Sequence, residues 1–275
     1  MKVILALNGS ITSEASAIYA IHYCRLFGYD LELLHVRNGR DAFEEVERSM
    51  EIIETLAEGA GVACERCVLP GGGVDAVIAR VHRERVDTLF CTTRAQKGSF
   101  SASFSDYLTR TPLPCDVAVV RIADLAAVNR VEKVGVSIKN AQLSVEKFAF
   151  FSAMLRAFDA DGEIYSISVL SQRQREAMGF EATRDRLEGL DAKLAHYRHL
   201  AQLQGVRLRL KHAFAESEVE QMLHHACHAK YDLMIVGGRR LGASALFSRK
   251  TALEELLLHT GVNLIAHYPK RNGDV

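Results

Sequence analysis

Two stretches of this chain repeat one pattern 145 positions apart, and that repetition limits the possible folds more than any other feature. In the first, Asp87 precedes Thr88, Leu89, Phe90 and Cys91, and the run ends in Thr92, Thr93 and Arg94. In the second, Asp232 precedes Leu233, Met234, Ile235 and Val236, and the run ends in Gly237, Gly238, Arg239 and Arg240. A short apolar run bounded by glycine or small polar residues reads as a strand buried on both faces of a parallel sheet. The upstream landmarks repeat as well, since Gly61-Val62 answers Gly205-Val206 and each pair opens a strand. Self-similarity on this scale predicts an internal duplication.

The rest of the chain alternates strand and helix in the same rhythm. Strands are expected at 2–7, 31–36, 62–69, around Thr88 and at 116–120, with helices at 13–27, 41–60, 74–85 and from about Asp106. After a connector the pattern restarts, with strands at 133–137, 163–169, 206–212, 233–236 and 263–267. Helices are expected at 143–158, 216–229 and 252–259, and a long helical region at 172–203 is expected to bend near Gly179 and Gly189. Alternation of this kind predicts an α/β protein with parallel sheets covered by helices on both faces. The expected organisation is a first domain at 1–122, a linker at 123–131 and a second domain at 132–275. Each is long enough to bury its own core.

The second stretch also suggests a site. A strand that ends in Gly237, Gly238, Arg239 and Gly242 presents bare backbone N–H groups and positive charge, a setting for an anion such as phosphate. Lys250 and Thr251 open the helical pattern at 252–259, whose first N–H groups would point back at the same anion. The bland alternative is a glycine turn, a capped helix and solvated arginines.

Charge narrows the partners. Thirty-four basic residues balance 34 acidic ones, so no global field favours nucleic acid. The apolar start at 1–7 stops at Asn8-Gly9, too short for a signal peptide or a membrane span, and a cytoplasmic protein without membrane contact is expected. Six scattered cysteines fit a reducing compartment. Cys64 and Cys67 form a CxxC, but on an expected strand rather than at a helix start, which disfavours a redox role. Glu220, His224 and His228 share one helix face at a spacing zinc could bridge, although a solvated face explains them as well.

Taken together, these residues give the chain a resemblance to the universal stress protein family in its tandem two-domain form. The resemblance rests on the strand order, on Leu34-His35-Val36 ending the second strand, on Asp87 and Asp232, and on Pro114-Cys115-Asp116-Val117. It implies two tandem doubly wound five-stranded sheets of order 3-2-1-4-5, with ligands at the carboxyl ends of strands one and four. It further implies an intramolecular pseudo-dimer through 117–120 and 264–267, with a homodimer left open. The ligand it implies is ATP or another adenine nucleotide. The implied binding residues are Ser137, Val169, Gly237, Gly238, Arg239, Gly242, Lys250 and Thr251 in the second half. In the first half they are Asn8, Val36, Arg94, Gly98 and Ser103.

Neither half matches the family's Gly-x2-Gly-x9-Gly-Ser/Thr loop. Asn8 and Ser137 stand where an aspartate is usual, three residues separate Gly238 from Gly242, and Lys250-Thr251 replaces Gly-Ser after a spacer of seven. The second half, with Arg239, Arg240, Arg249 and Lys250, is the better anion site. The leading expectation is a binding and signalling module without rapid turnover. The alternative is a scaffold, or a protein for another small anion. An ATP-splitting enzyme is disfavoured, because no paired carboxylates or nucleophile–base couple are evident and Asn8-Gly9-Ser10-Ile11 is not a pyrophosphate loop.

Overall fold

In the computed structural model, which describes residues 1–37, 42–93, 104–238 and 252–270, the apolar runs become strands of one sheet. In the first half these are β1 (Lys2–Ala6), β2 (Asp30–Val36), β3 (Cys64–Leu69), β4 (Val86–Thr92) and β5 (Asp116–Arg121). In the second they are β6 (Lys133–Lys139), β7 (Asp161–Val169), β8 (Leu208–Ala215), β9 (Leu233–Gly237) and β10 (Asn263–Tyr268). The helices are α1 (Ile11–Phe27), α2 (Phe43–Gly59), α3 (Gly73–Arg83), α4 (Phe104–Arg110), α5 (Val145–Phe158), α6 (Gln172–Glu176), α7 (Phe180–Leu203), α8 (Glu218–Ala229) and α9 (Ala252–His259).

The sheet runs β3-β2-β1-β4-β5-β10-β9-β6-β7-β8. The expectation of two separate five-stranded sheets is thereby corrected, because the halves share one ten-stranded sheet. The seam is the pairing expected of the two final strands: β5 and β10 run antiparallel, from Val117 opposite Tyr268 to Arg121 opposite Leu264. Both strands are apolar on both faces, with Val117, Ala118, Leu264, Ile265 and Ala266 fully buried. Left as free edges they would be open to pairing with other chains, and here each covers the other.

Helices α1, α2, α5 and α7 cover one face of the sheet, and α3, α4, α8 and α9 cover the other. Each of the two apolar layers draws on both halves. At the seam α1 lies against α5, with the rings of Tyr23 and Phe150 at 5.8 Å and His22 stacked on Phe158 at 4.2 Å. The connector is tied down as well. It holds a 3-10 turn at Ala126–Val128, and the Asn263 side chain accepts from the N–H groups of Ala123 (2.8 Å) and Asp124 (2.9 Å).

Strand register exposes the duplication at the level of buried charge. Lys2 opens β1 and donates to the fully buried Glu32 at 2.8 Å, while Arg80 of α3 grips the same carboxylate at 2.8 and 2.9 Å. In the second half Lys133 opens β6, Glu163 takes the place of Glu32, and His225 of α8 takes the place of Arg80, 2.6 Å from Glu163. Burial alone would push the Glu163 carboxyl up, but hydrogen bonds from His225 and Tyr231 override it and hold the group at about 2.

Local signals set most element ends. Ser10, Ser144 and Ser217 cap α1, α5 and α8 by accepting N–H bonds from Ser13, Lys147 and Glu220. Gly28 ends α1 in the left-handed conformation. The region at 172–203 breaks near Gly179, as expected, but α7 passes straight through Gly189. One glycine costs a helix only about 1 kcal/mol, and Leu190, Leu194, Tyr197 and Ala201 are buried along α7.

Candidate functional site

The order of strands reverses between β6 and β9, and there the sheet opens. These strands pair only from Val134–Leu233 to Val136–Ile235, whereas the equivalent β1 and β4 stay paired to Ala6–Cys91. The second half therefore splits one residue deeper, at Ser137. Such a topological switch point is where ligands enter open α/β sheets. A cavity of about 600 Å³ occupies it. Its walls come from the ends of β6, β9 and β10, from α8 and α9, and from α4 of the first half. Met222, Val236, Leu256 and Leu257 make one side apolar, while Arg110, Lys139, Lys147 and Glu218 set its charge.

Lys147 is the least expected of these. It sits in the first turn of α5, where the helix dipole opposes a cation. Its Nζ donates to the backbone oxygen of Ser137 at 2.9 Å, and among the described residues it makes no ion pair. Burial pulls the ammonium down to about 8, against the smaller opposing pull of Glu218. The neighbouring strand is shaped around it: a Cβ on Gly237 would lie 2.7 Å from Lys147 Cε. In the first half the third residue after the cap is Ser13, a buried serine whose Oγ donates to Ser10 O at 2.7 Å.

Among the described residues, two buried polar atoms of the wall lack partners. Ser137 is only 5% exposed, and its Oγ makes no hydrogen bond. His267 is 1% exposed and stacks on Phe150 at 4.2 Å; its Nε2 lies 2.8 Å from the Asp116 carboxylate, and its Nδ1 has no partner. Buried polar groups are normally satisfied, which makes these two atoms exceptions beside the cavity. The entry loop is tense as well, with Asn140 and Ala141 both in the left-handed region at φ 50° and 55°.

Of the residues singled out by the sequence, Ser137, Gly237 and Gly238 come together on the cavity wall. The two glycines are there for packing within the protein. Gly237 admits Lys147, and a Cβ on Gly238 would fall 2.2 Å from the Tyr268 ring. Val169 ends β7, partly exposed and away from the cavity, and Val36 ends β2. Asn8 closes its own turn, its Oδ1 accepting from the N–H (3.2 Å) and the Oγ (2.7 Å) of Ser10. Arg94, Gly98, Ser103, Arg239, Gly242, Lys250 and Thr251 lie outside the described residues, as do Arg240 and Arg249.

Register also realigns the halves. Counted from Lys2 and Lys133, Asn8 answers to Lys139, and Ser137 answers to Ala6. Sequence reasoning missed Lys147, Lys139 and His267. A signal for Lys147 existed in the spacing Ser144-x-x-Lys147 set against Ser10-x-x-Ser13, but a loop three residues longer before α5 hides it.

On α8, His225 turns inward to Glu163, while the rings of His224 and His228 stack at 4.0 Å. Among the described residues no three His, Cys, Asp or Glu side chains are grouped to hold a metal. The cysteines described are free thiols, Cys64 and Cys67 both on β3. No helix among the described residues is long and apolar enough to cross a membrane.

No protein-family model matches the chain, and no curated protein matches it in sequence. Solved structures do match in shape. A universal stress protein from Archaeoglobus fulgidus DSM 4304 superposes with a TM-score of 0.65 at 13% identity, over 100% of this chain and 97% of that one. A putative universal stress protein from Pseudomonas aeruginosa UCBPP-PA14 gives 0.65 at 11% identity, over 98% and 93%. The cytoplasmic domain of a prokaryotic cation chloride cotransporter gives 0.57 at 11% identity, over 99% and 97%. With one largely parallel sheet, helices on both faces and these neighbours, the chain has the fold of the universal stress proteins.

Proposed function

We propose that the protein is a tandem universal-stress-type binding module whose second half holds a small anionic ligand, ATP or another adenine nucleotide first among them. One observation carries this reading: at the switch point a cavity of about 600 Å³ gathers, among the described residues, Arg110, Lys139 and Lys147 with the carboxylate of Glu218. That volume lies within the range of small-molecule sites, and the apolar wall beside the charges suits a ligand with a flat body and an anionic end. Lys139 stands where the first half has Asn8 and where the family commonly has an acid, so the polarity of this end is reversed. The role is binding and signalling rather than rapid turnover.

A second reading is a small anion other than a nucleotide. It is favoured by Gly237 and Gly238, whose open space is already taken by Lys147 and Tyr268 rather than left for a phosphate chain. Mass spectrometry of small molecules released on denaturing the purified protein, followed by titration of the emptied protein with ATP, ADP and AMP, separates the two. Near-stoichiometric adenine nucleotide, or saturable binding on titration, supports the first. No nucleotide and no binding at high ATP leaves the second.

A further inference from the structure

We propose that Lys147 and Ser137 form a corner of the second-half cavity that holds a phosphoryl group of the ligand, a task carried by a helix lysine instead of a glycine loop. The proposal rests on the reading of this cavity as an anion site and names the group it takes.

The geometry has four parts. The ammonium of Lys147 uses one of its three donors on Ser137 O at 2.9 Å, which leaves two. Ser137 lines the same cavity, and its buried Oγ has no partner. The carboxylate nearest in role, Glu218, has Lys139 Nζ 3.8 Å away, which offsets its charge. Gly237 keeps the lysine stem in place, because any side chain there would strike Cε at 2.7 Å. A cation held in a cavity without an ion pair among the described residues, beside a hydroxyl that finds no partner among them, calls for an oxygen-rich anion. A phosphoryl group offers three oxygens to those donors.

His267 is not part of the corner. Asp116 accepts the proton of Nε2, so in the neutral ring Nδ1 is an acceptor, the wrong polarity for an anion. Its natural partner is a hydroxyl or N–H on the uncharged body of the ligand. The duplication provides an internal contrast, since the first half has Ser13 in place of Lys147 and keeps its strands paired one residue further.

The test is calorimetric titration of the full chain with inorganic pyrophosphate, adenosine and AMP, using Lys147→Met, Ser137→Ala and, as a remote control on β8, Lys211→Met. Wild type should bind pyrophosphate, Lys147→Met should weaken it by about tenfold or more, Ser137→Ala by several-fold, and Lys211→Met should leave it unchanged. Raising the pH from about 7 to about 9 should weaken binding to wild type but not to Lys147→Met. The other titratable or charged groups of the wall are Glu218, Lys139, Arg110, His267 and Tyr268, and their effects remain in the variant. Equal pyrophosphate binding by wild type and Lys147→Met, or no binding by wild type, overturns the corner. If AMP binds both proteins equally, the nucleotide reading survives without the corner. If pyrophosphate binds and AMP binds no tighter, the corner survives without the nucleotide reading.

Discussion

Replacing Lys147 with methionine should make the ligand-free protein more stable. Methionine keeps the apolar stem that lies against Gly237 and removes the ammonium that burial disfavours. The drop from the ordinary 10.5 to about 8 corresponds to about 3 kcal/mol at most. Lys147 keeps some contact with solvent, which screens part of that cost, and the lost hydrogen bond to Ser137 O takes back about 1 kcal/mol. A net gain of about 1 kcal/mol at neutral pH is expected. Urea denaturation followed by circular dichroism reads it directly. The sign with pH is fixed, because the folded pKa lies below the unfolded one. Between about 8 and 10.5 the folded chain binds fewer protons than the unfolded chain, so wild-type stability rises with pH and the gap to Lys147→Met closes. A variant less stable than wild type at neutral pH, or a gap that stays constant up to about pH 9.5, would show that Lys147 is an ordinary packed residue.

Other substitutions test the frame around the site. Gly238→Ala forces a Cβ to 2.2 Å from the Tyr268 ring and should cost about 2–3 kcal/mol, against about 1–2 kcal/mol for Gly237→Ala, where a flexible lysine can shift; thermal denaturation ranks them, and equal, negligible effects would contradict the packing. His225→Ala removes one of the two hydrogen-bond donors to the buried Glu163 carboxylate and should cost about 2–3 kcal/mol, more than His224→Ala on the exposed face. Glu163 is held at about 2 against an ordinary 4.5, so its contribution is present above pH 4.5 and fades as pH falls toward 2. Glu163→Gln should flatten that limb of the acid denaturation curve, and an unchanged limb would assign the loss to other groups.

The layered α/β plan was legible because its signals are local. The period and length of the apolar runs placed the strands, and α9 spans Ala252–His259 where a helix was expected. The edge pairing of β5 and β10 is the one the family resemblance implies, and both strands are apolar on both faces. The residues alone do not separate two independent domains from one continuous sheet, since each strand meets nearly the same demands in both. The site was legible only as a place. In the sequence Gly237 and Gly238 suggest backbone N–H groups open to an anion, whereas the side chains that fill the space beside them, Lys147 and Tyr268, are far along the chain. Lys147 itself hides at the third position of a helix, where a lysine reads as solvated surface. Its burial follows from the early parting of β6 and β9, a long-range consequence of register.

We propose above that the second half of the duplicated fold holds a small anionic ligand. Equilibrium titration of the ligand-free chain with the tightest-binding adenine nucleotide, read as stoichiometry, tests it most directly. One ligand per chain is expected, bound about tenfold or more weaker by Lys147→Met. Two ligands per chain, or no saturable binding, would speak against it, and full affinity retained by Lys147→Met would remove the corner alone.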